Sequence, residues 1–487
     1  MKIRNLSAAF VIMISVMVIL ASCGNSYNYT SGNVDWESTY SAGNTIHDTF
    51  YYSDDWFSEK PEKQNDELAL ASMQLTAAAV DDDENGTGAT FLRSLGFDEI
   101  GFSDFASSDS EDCNYIWARK TIGSGNDEST LVAVVIQSFS SDNTLKRKAW
   151  RQNVTVNDPE SADPSGEHFA FARAADKAAD DIAGLGNSEN VKYWITGMSR
   201  GGAVTNILAA RLAEKLGDRN AGIYAYTFES PATVDEETAG STDYGYIHNY
   251  VCSDDLVTMI PVWGMTRYGV THDLKTDKTD EDLTGALQTM GSEAADLKPR
   301  IIAKDEADKF VSKLSERVPS RADYSAVRTD SFTDPDGVDH EITYSYQDGL
   351  ALLMDFIFGG DGEDDSPLSA LISKRSRLGE AVTHIAEGIT MERNGEDPYS
   401  EYWAGTMNIY SLLEEASGEK PSVSEEDLYK ILVSAAPVFI DVPESSLEEP
   451  SMDLLVNMAG YKEEMTYSHQ ADTLIARLKL LAPAPEK

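Results

Sequence analysis

The run Leu131-Val132-Ala133-Val134-Val135-Ile136 holds no polar residue, and a segment apolar on both faces predicts a central strand of a sheet covered on both sides. Shorter apolar runs at residues 115–118, 191–196, 224–228 and 246–251 predict further strands. Between them the period lengthens. Residues 168–185 form an alanine-rich helical pattern. Residues 203–216 place Val204, Ile207, Leu208, Leu212 and Leu216 on one stripe that ends at Gly217. A helix starts near Glu67 with Leu68, Leu70, Met73 and Leu75, and a second short helix leads into Leu95-Gly96-Phe97. Strands alternating with helices predict an α/β core with a mostly parallel sheet and helices on both faces.

After Asp273 the texture changes to charged amphipathic helices, such as 304–318 and 367–387, with an acidic loop at 361–365. Residues 274–455 read as a helical insertion, or cap, over one end of the sheet, and 456–487 as a return to the core. At the other end, Lys2 and Arg4 precede the apolar run 8–20, and Leu20-Ala21-Ser22-Cys23 follows. That is the layout of a secretory signal, 1–22, and the run is shorter than the roughly 20 residues a spanning helix needs. Residues 23–60, rich in Ser, Asn, Tyr, Asp and Gly, read as a tether to the core at 61–273.

Charge acts mainly by exclusion. The 487-residue chain carries 39 Lys plus Arg against 83 Asp plus Glu, a net charge of -44. Such a surface repels phosphates, so nucleic acid is not an expected partner. The chain has no CxxC and no Cys/His cluster at metal-ligand spacing. An exported body permits a disulfide between Cys113 and Cys252, and two buried thiols fit as well.

The chemistry concentrates at Gly197-Met198-Ser199-Arg200-Gly201-Gly202, between the strand 191–196 and the helix 203–216. A G-x-S-x-G turn from strand to helix forces its serine into strained angles and projects the hydroxyl at the carboxyl end of the sheet. The helix N-terminus behind it favours a developing oxyanion, with the Arg200 N–H as one donor. A serine nucleophile needs a base and an orienting carboxylate, and neither a metal nor an organic cofactor.

Three ordered segments resemble the class 3 lipases: Tyr193 to Ala203 around the elbow, Tyr226-Thr227-Phe228-Glu229-Ser230-Pro231, and Asp254-Asp255-Leu256-Val257-Thr258-Met259-Ile260-Pro261. The resemblance covers about residues 115 to 272 and implies an α/β-hydrolase acting on lipid or other carboxylic esters. It places the acid at Asp255, with Asp254 as its neighbour, and the base at His469, just ahead of a terminal helix. His272 is the alternative base. The family's Arg-Gly-Ser or Arg-Gly-Thr loop is replaced here by Gln137-Ser138-Phe139, so the second oxyanion donor falls to Ser138 or to the Phe139 N–H. Leu20 to Cys23 resembles a bacterial lipobox. That likeness implies lipidation of Cys23 and attachment to the outer face of the cell membrane. Ester hydrolysis through an acyl-Ser199 intermediate is the expected activity. A non-catalytic surface lipoprotein that uses the scaffold for binding, and an amidase with the same triad, are the alternatives.

Overall fold

The computed structural model describes residues 31–40, 44–80, 83–103, 113–138, 143–161, 165–186, 190–217, 222–274, 280–296, 304–358, 378–443 and 467–481. The signal segment and Cys23 lie outside them. Among the described residues no helix is long and apolar enough to cross a membrane.

The chain opens with an antiparallel hairpin, β1 (Ser31–Tyr40) and β2 (Asn44–Ser53). Next in chain order come β3 (Glu99–Phe102), β4 (Tyr115–Ile122), β5 (Ser129–Ile136), β6 (Val191–Met198), β7 (Ile223–Phe228), β8 (Val234–Asp235), β9 (Ile247–Val251), β10 (Met265–Thr266) and β11 (Val270–Asp273). Strands β8 and β10 form a separate two-stranded antiparallel pair. The rest form one seven-stranded sheet in the order β11-β9-β7-β6-β5-β4-β3. From β5 to β11 the pairing is parallel, and β4 and β3 join antiparallel at one edge.

Alternation along each strand builds two cores. Leu131, Ala133, Val135, Trp194 and Tyr226 face the helices Asp66–Ala78 and Ala471–Leu481. Val132, Val134, Ile136, Ile195 and Ala225 face the helices Phe169–Gly184 and Ser199–Leu216. The buried Trp194 indole donates to Ser72 Oγ at 2.7 Å, so the helix Asp66–Ala78 is fixed to the sheet by a hydrogen bond as well as by apolar contact. This is the α/β-hydrolase architecture, with β6 at the middle of the sheet.

The tether expected over 23–60 does not hold for residues 31–58. Val34 and Trp36 alternate with polar residues on β1, as do Ile46, Phe50 and Tyr52 on β2, and all five are buried. That period of two builds a half-buried hairpin, despite a composition otherwise typical of linkers. The hairpin is locked by charge. Lys120 Nζ on β4 meets Asp54 Oδ1 at 2.5 Å, Tyr52 donates to the same oxygen at 2.8 Å, and Lys120 also donates to Leu95 O at 2.6 Å. Burial pushes the Lys120 ammonium down, partly offset by Asp54.

Beyond the sheet, the insertion differs from expectation in two respects. Its first helix, Asp280–Thr289, packs Leu283 and Leu287 into the same core as the sheet. It also contains an antiparallel hairpin, β12 (Arg328–Thr333) with β13 (Asp339–Tyr344), turned by Asp334 to Gly337. The helix expected over 367–387 is described from Gly379 and runs to Arg393. This helix, with Tyr399–Ser417, Glu425–Phe439 and the hairpin, encloses a separate core that includes Ile385, Trp403, Tyr410 and Tyr429. A reciprocal amide contact ties the insertion to the sheet domain. The Asn157 N–H donates to Gln347 Oε1 at 2.9 Å, and Gln347 Nε2 donates to Asn157 O at 3.0 Å.

Asp54→Ala leaves the Lys120 ammonium buried without its carboxylate. The expected loss of stability is about 3–5 kcal/mol. A urea titration should show it as a lower midpoint at unchanged slope; an unaltered midpoint would mean that the hairpin is not part of the cooperative fold.

Candidate active site

Strand β6 runs into the helix Ser199–Leu216 without a loop, so the bend falls on Ser199, whose φ is 55°. That left-handed angle is uncommon for a residue with a side chain. The flanking glycines answer a steric demand. A Cβ on Gly197 would lie 2.5 Å from Gly201 O, and one on Gly201 would lie 2.4 Å from Ile136 O. The helix can approach β5 and β6 this closely only with bare backbone at both positions.

Three side chains from distant segments meet at this bend. Ser199 Oγ lies 2.8 Å from His469 Nε2, across 270 residues of sequence. His469 Nδ1 lies 2.5 Å from Asp255 Oδ2. A carboxylate only accepts, so Nδ1 carries the ring proton and Nε2 is left to accept from the serine hydroxyl. Asp255 is fully buried, and its Oδ1 accepts the Val257 N–H at 2.9 Å, capping the short turn Leu256–Met259. Burial of the His469 ring works against its charged form. The Asp255 charge and hydrogen bond outweigh that and hold the imidazole above its ordinary value.

Asp254 turns the other way and forms a clamp. Arg477 donates to both its oxygens at 2.9 Å, and Ser468 Oγ donates to Oδ2 at 2.7 Å. Burial pushes the Asp254 carboxyl up, but Arg477 and Ser468 prevail and hold it below its ordinary value. The clamp binds the residue before His469 and the helix after it to the residue before Asp255. A second tie comes from Arg267, whose Nε donates to Ser230 O at 2.8 Å while its Nη2 donates to Ser230 O and Thr258 O.

The remaining expected residues are distributed as follows. Arg200 is the second residue of the helix, so its N–H lies at the positive end of the helix dipole. Its guanidinium points away into the protein, donating to Cys113 Sγ at 3.0 Å and to Gln152 Oε1. Ser138 Oγ donates to Met198 O and accepts from the Gly201 N–H at 3.4 Å, so this hydroxyl fastens the bend itself. Phe139 lies outside the described residues. His272 is not brought to Ser199. It stands on β11 with its Nε2 3.0 Å from His248 Nδ1, and the other nitrogen of His248 donates to Pro61 O at 2.8 Å. Cys113 and Cys252 are both buried free thiols.

Sequence reasoning missed Arg477, Ser468 and Glu229. The first two carry no local signal. Glu229 did carry one, as an acid closing the apolar strand Tyr226-Thr227-Phe228.

The fold and this constellation define the α/β-hydrolase class with a Ser-His-Asp arrangement. Residues 150–265 match the family model for class 3 lipase, a stretch that includes Ser199 and Asp255 and stops before His469. The match points to a hydrolase of lipase or esterase type. Similar solved structures include one described as a triacylglycerol lipase whose catalytic centre is a serine protease triad, at 18% identity and a TM-score of 0.32, covering 45% of this chain and 83% of that one. The Rhizomucor miehei lipase propeptide complex is 17% identical with a TM-score of 0.29, covering 42% and 67%. The lipase from Rhizopus microsporus var. chinensis is 18% identical with a TM-score of 0.31, covering 44% and 75%. No curated protein matches the chain.

Arg477→Leu should lower stability by about 3–5 kcal/mol, because it strands a buried carboxylate. The Asp254 carboxyl sits below its ordinary value, so the clamp's contribution is complete above that value and fades as pH falls through the lower one. Denaturant midpoints of wild type and variant should therefore converge in acid; a difference that persists there would remove the charge account.

Proposed function

We propose that the protein is a serine hydrolase that cleaves carboxylic esters, lipid esters among them, through an acyl-Ser199 intermediate. The reading rests on one observation: the unbroken line from Ser199 Oγ through His469 to Asp255 at a strained strand-to-helix bend.

His469 Nε2 takes the hydroxyl proton as Ser199 Oγ attacks the ester carbonyl. Asp255 stabilises the imidazolium that forms. The carbonyl oxygen becomes an oxyanion at the start of the helix, where the Arg200 N–H is the proposed donor. Collapse expels the alcohol, protonated by His469. Water then repeats the sequence on the acyl-enzyme and releases the acid. No step requires a metal or cofactor. In this reading Ser138 supports catalysis by holding the bend in place, and the insertion 274–455 covers the acyl portion of the substrate. The family match and the lipobox-like Leu20 to Cys23 support lipid esters as substrates at a membrane surface, with the protein exported and anchored through Cys23.

Ser199→Ala should lower turnover of a short-chain nitrophenyl ester about 10⁶-fold. A fluorophosphonate should label wild type at Ser199, label His272→Ala equally, and fail with His469→Ala. Equal turnover by wild type and Ser199→Ala would favour the binding-protein reading instead.

The pH profile is fixed in sign by the base. His469 must be neutral to accept a proton, and its pKa is raised from 6.5. The acid limb of kcat/KM should therefore lie above 6.5, with rate lost as pH falls through it. Asp255→Asn removes the cause, and kcat should drop about 10⁴-fold. An acid limb below the ordinary histidine value would contradict this assignment.

A further inference from the structure

Behind Asp255 lies a second carboxyl that the reaction described above does not use. Glu229 follows β7, is fully buried, and has φ of 44°. Among the described residues only Ser199 and Glu229 adopt a left-handed angle without being glycine. Glycine would sit there without strain, so an acid at this bend is held against the backbone's own preference. Its two oxygens accept the Cys252 N–H at 2.9 and 3.1 Å, and its carboxyl lies within hydrogen-bond reach of that of Asp255.

The charges around it can be assigned. Glu229 interacts electrostatically with Asp255, the Cys252 thiol, Arg267 and Arg477. Arg477 is committed to Asp254 through two hydrogen bonds. Arg267 spans the Ser230 and Thr258 carbonyls and acts on both Glu229 and Asp255, so one positive charge serves two carboxyls. Two carboxylates cannot share a hydrogen bond without a proton between them. Asp255 already accepts from His469 at Oδ2 and from the Val257 N–H at Oδ1, so both its oxygens are committed as acceptors. The proton therefore resides on Glu229, and desolvation together with the Asp255 charge pushes that carboxyl well up.

We infer that Glu229 is a positioning residue for the proposed reaction: a neutral carboxylic acid that donates its proton in a hydrogen bond to Asp255 and holds the carboxylate square to His469. It touches no substrate. Its effect is to limit how strongly Asp255 draws the imidazole proton, and so to keep the base available nearer neutrality. This inference rests on the hydrolase reading for its functional meaning; the protonation state follows from the burial of the two carboxyls and from the partners each one has.

Two variants separate these parts. Glu229→Gln keeps a donor for Asp255 and an acceptor for the Cys252 N–H. Glu229→Gly removes both and relaxes the backbone, so lost activity would not reflect a strained chain. An infrared difference spectrum of wild type minus Glu229→Gln at pH 7 should contain the carbonyl stretch of a protonated acid. Glu229→Gln should keep kcat within about threefold and leave the His469 titration, followed by NMR, in place. Glu229→Gly should lower kcat about 10- to 100-fold at unchanged KM and move the His469 titration upward. A carboxylate band in the difference spectrum, or a downward shift of His469 in Glu229→Gln, would show Glu229 to be ionised and overturn the inference. Infrared and NMR need no turnover. If wild type lacks Ser199-dependent hydrolysis, the hydrolase reading fails while the state of Glu229 is still decided.

Discussion

A buried ion pair between Asp254 and Arg477 joins segments 223 residues apart, and the geometry of the site depends on it. Each end of the pair has a neighbour with chemistry of its own. Asp255 follows one partner, and His469 lies on the turn that leads into the other partner's helix. Ser468 closes the same contact from the histidine side. Such pairs add little net stability when compared with apolar packing, because desolvating two charges offsets their attraction. What this one supplies is register. It fixes two loops relative to each other to within a hydrogen bond, a tolerance that apolar contact at 4 Å does not impose.

The second constraint is steric and local. The helix that follows β6 approaches β5 so closely that a methyl group at position 201 would overlap the Ile136 carbonyl oxygen. This approach forces Ser199 into its left-handed angle and points its hydroxyl out of the sheet. The bend and the clamp lie in separate segments: one sets Ser199, the other sets His469 and Asp255. Hydrogen-bond distance arises where the two meet, at 2.8 Å between Ser199 and His469.

These two constraints differ in how visible they are in sequence. The bend is written in six consecutive residues flanked by a strand pattern and a helix pattern, so Ser199 could be picked from local information. The parallel core was legible for the same reason: 131–136 is apolar throughout, and β5 is buried between two helical layers. Asp255 and His469 needed the likeness to a known family, because nothing in their own segments distinguishes them from other loop acids and helix-start histidines. Arg477 was illegible, since its partner lies across the whole insertion. The hairpin at 31–53 was present as a period of two, but its polar residues made the stretch look like linker. Glu229 broke the apolar pattern of β7, and an acid placed where burial is expected is a signal that sequence alone could have flagged.

The spacing of the site along the chain also has a temporal meaning. Ser199, its bend and its flanking glycines are complete once the helix Ser199–Leu216 has formed, but the imidazole and the arginine that seats it are synthesised only after the entire insertion. Until the chain has been made past residue 477, the His469 imidazole is not held beside the Ser199 hydroxyl. In the proposed reading, a polypeptide stalled or truncated short of that point is chemically silent, and hydrolysis awaits the docking of the last helix.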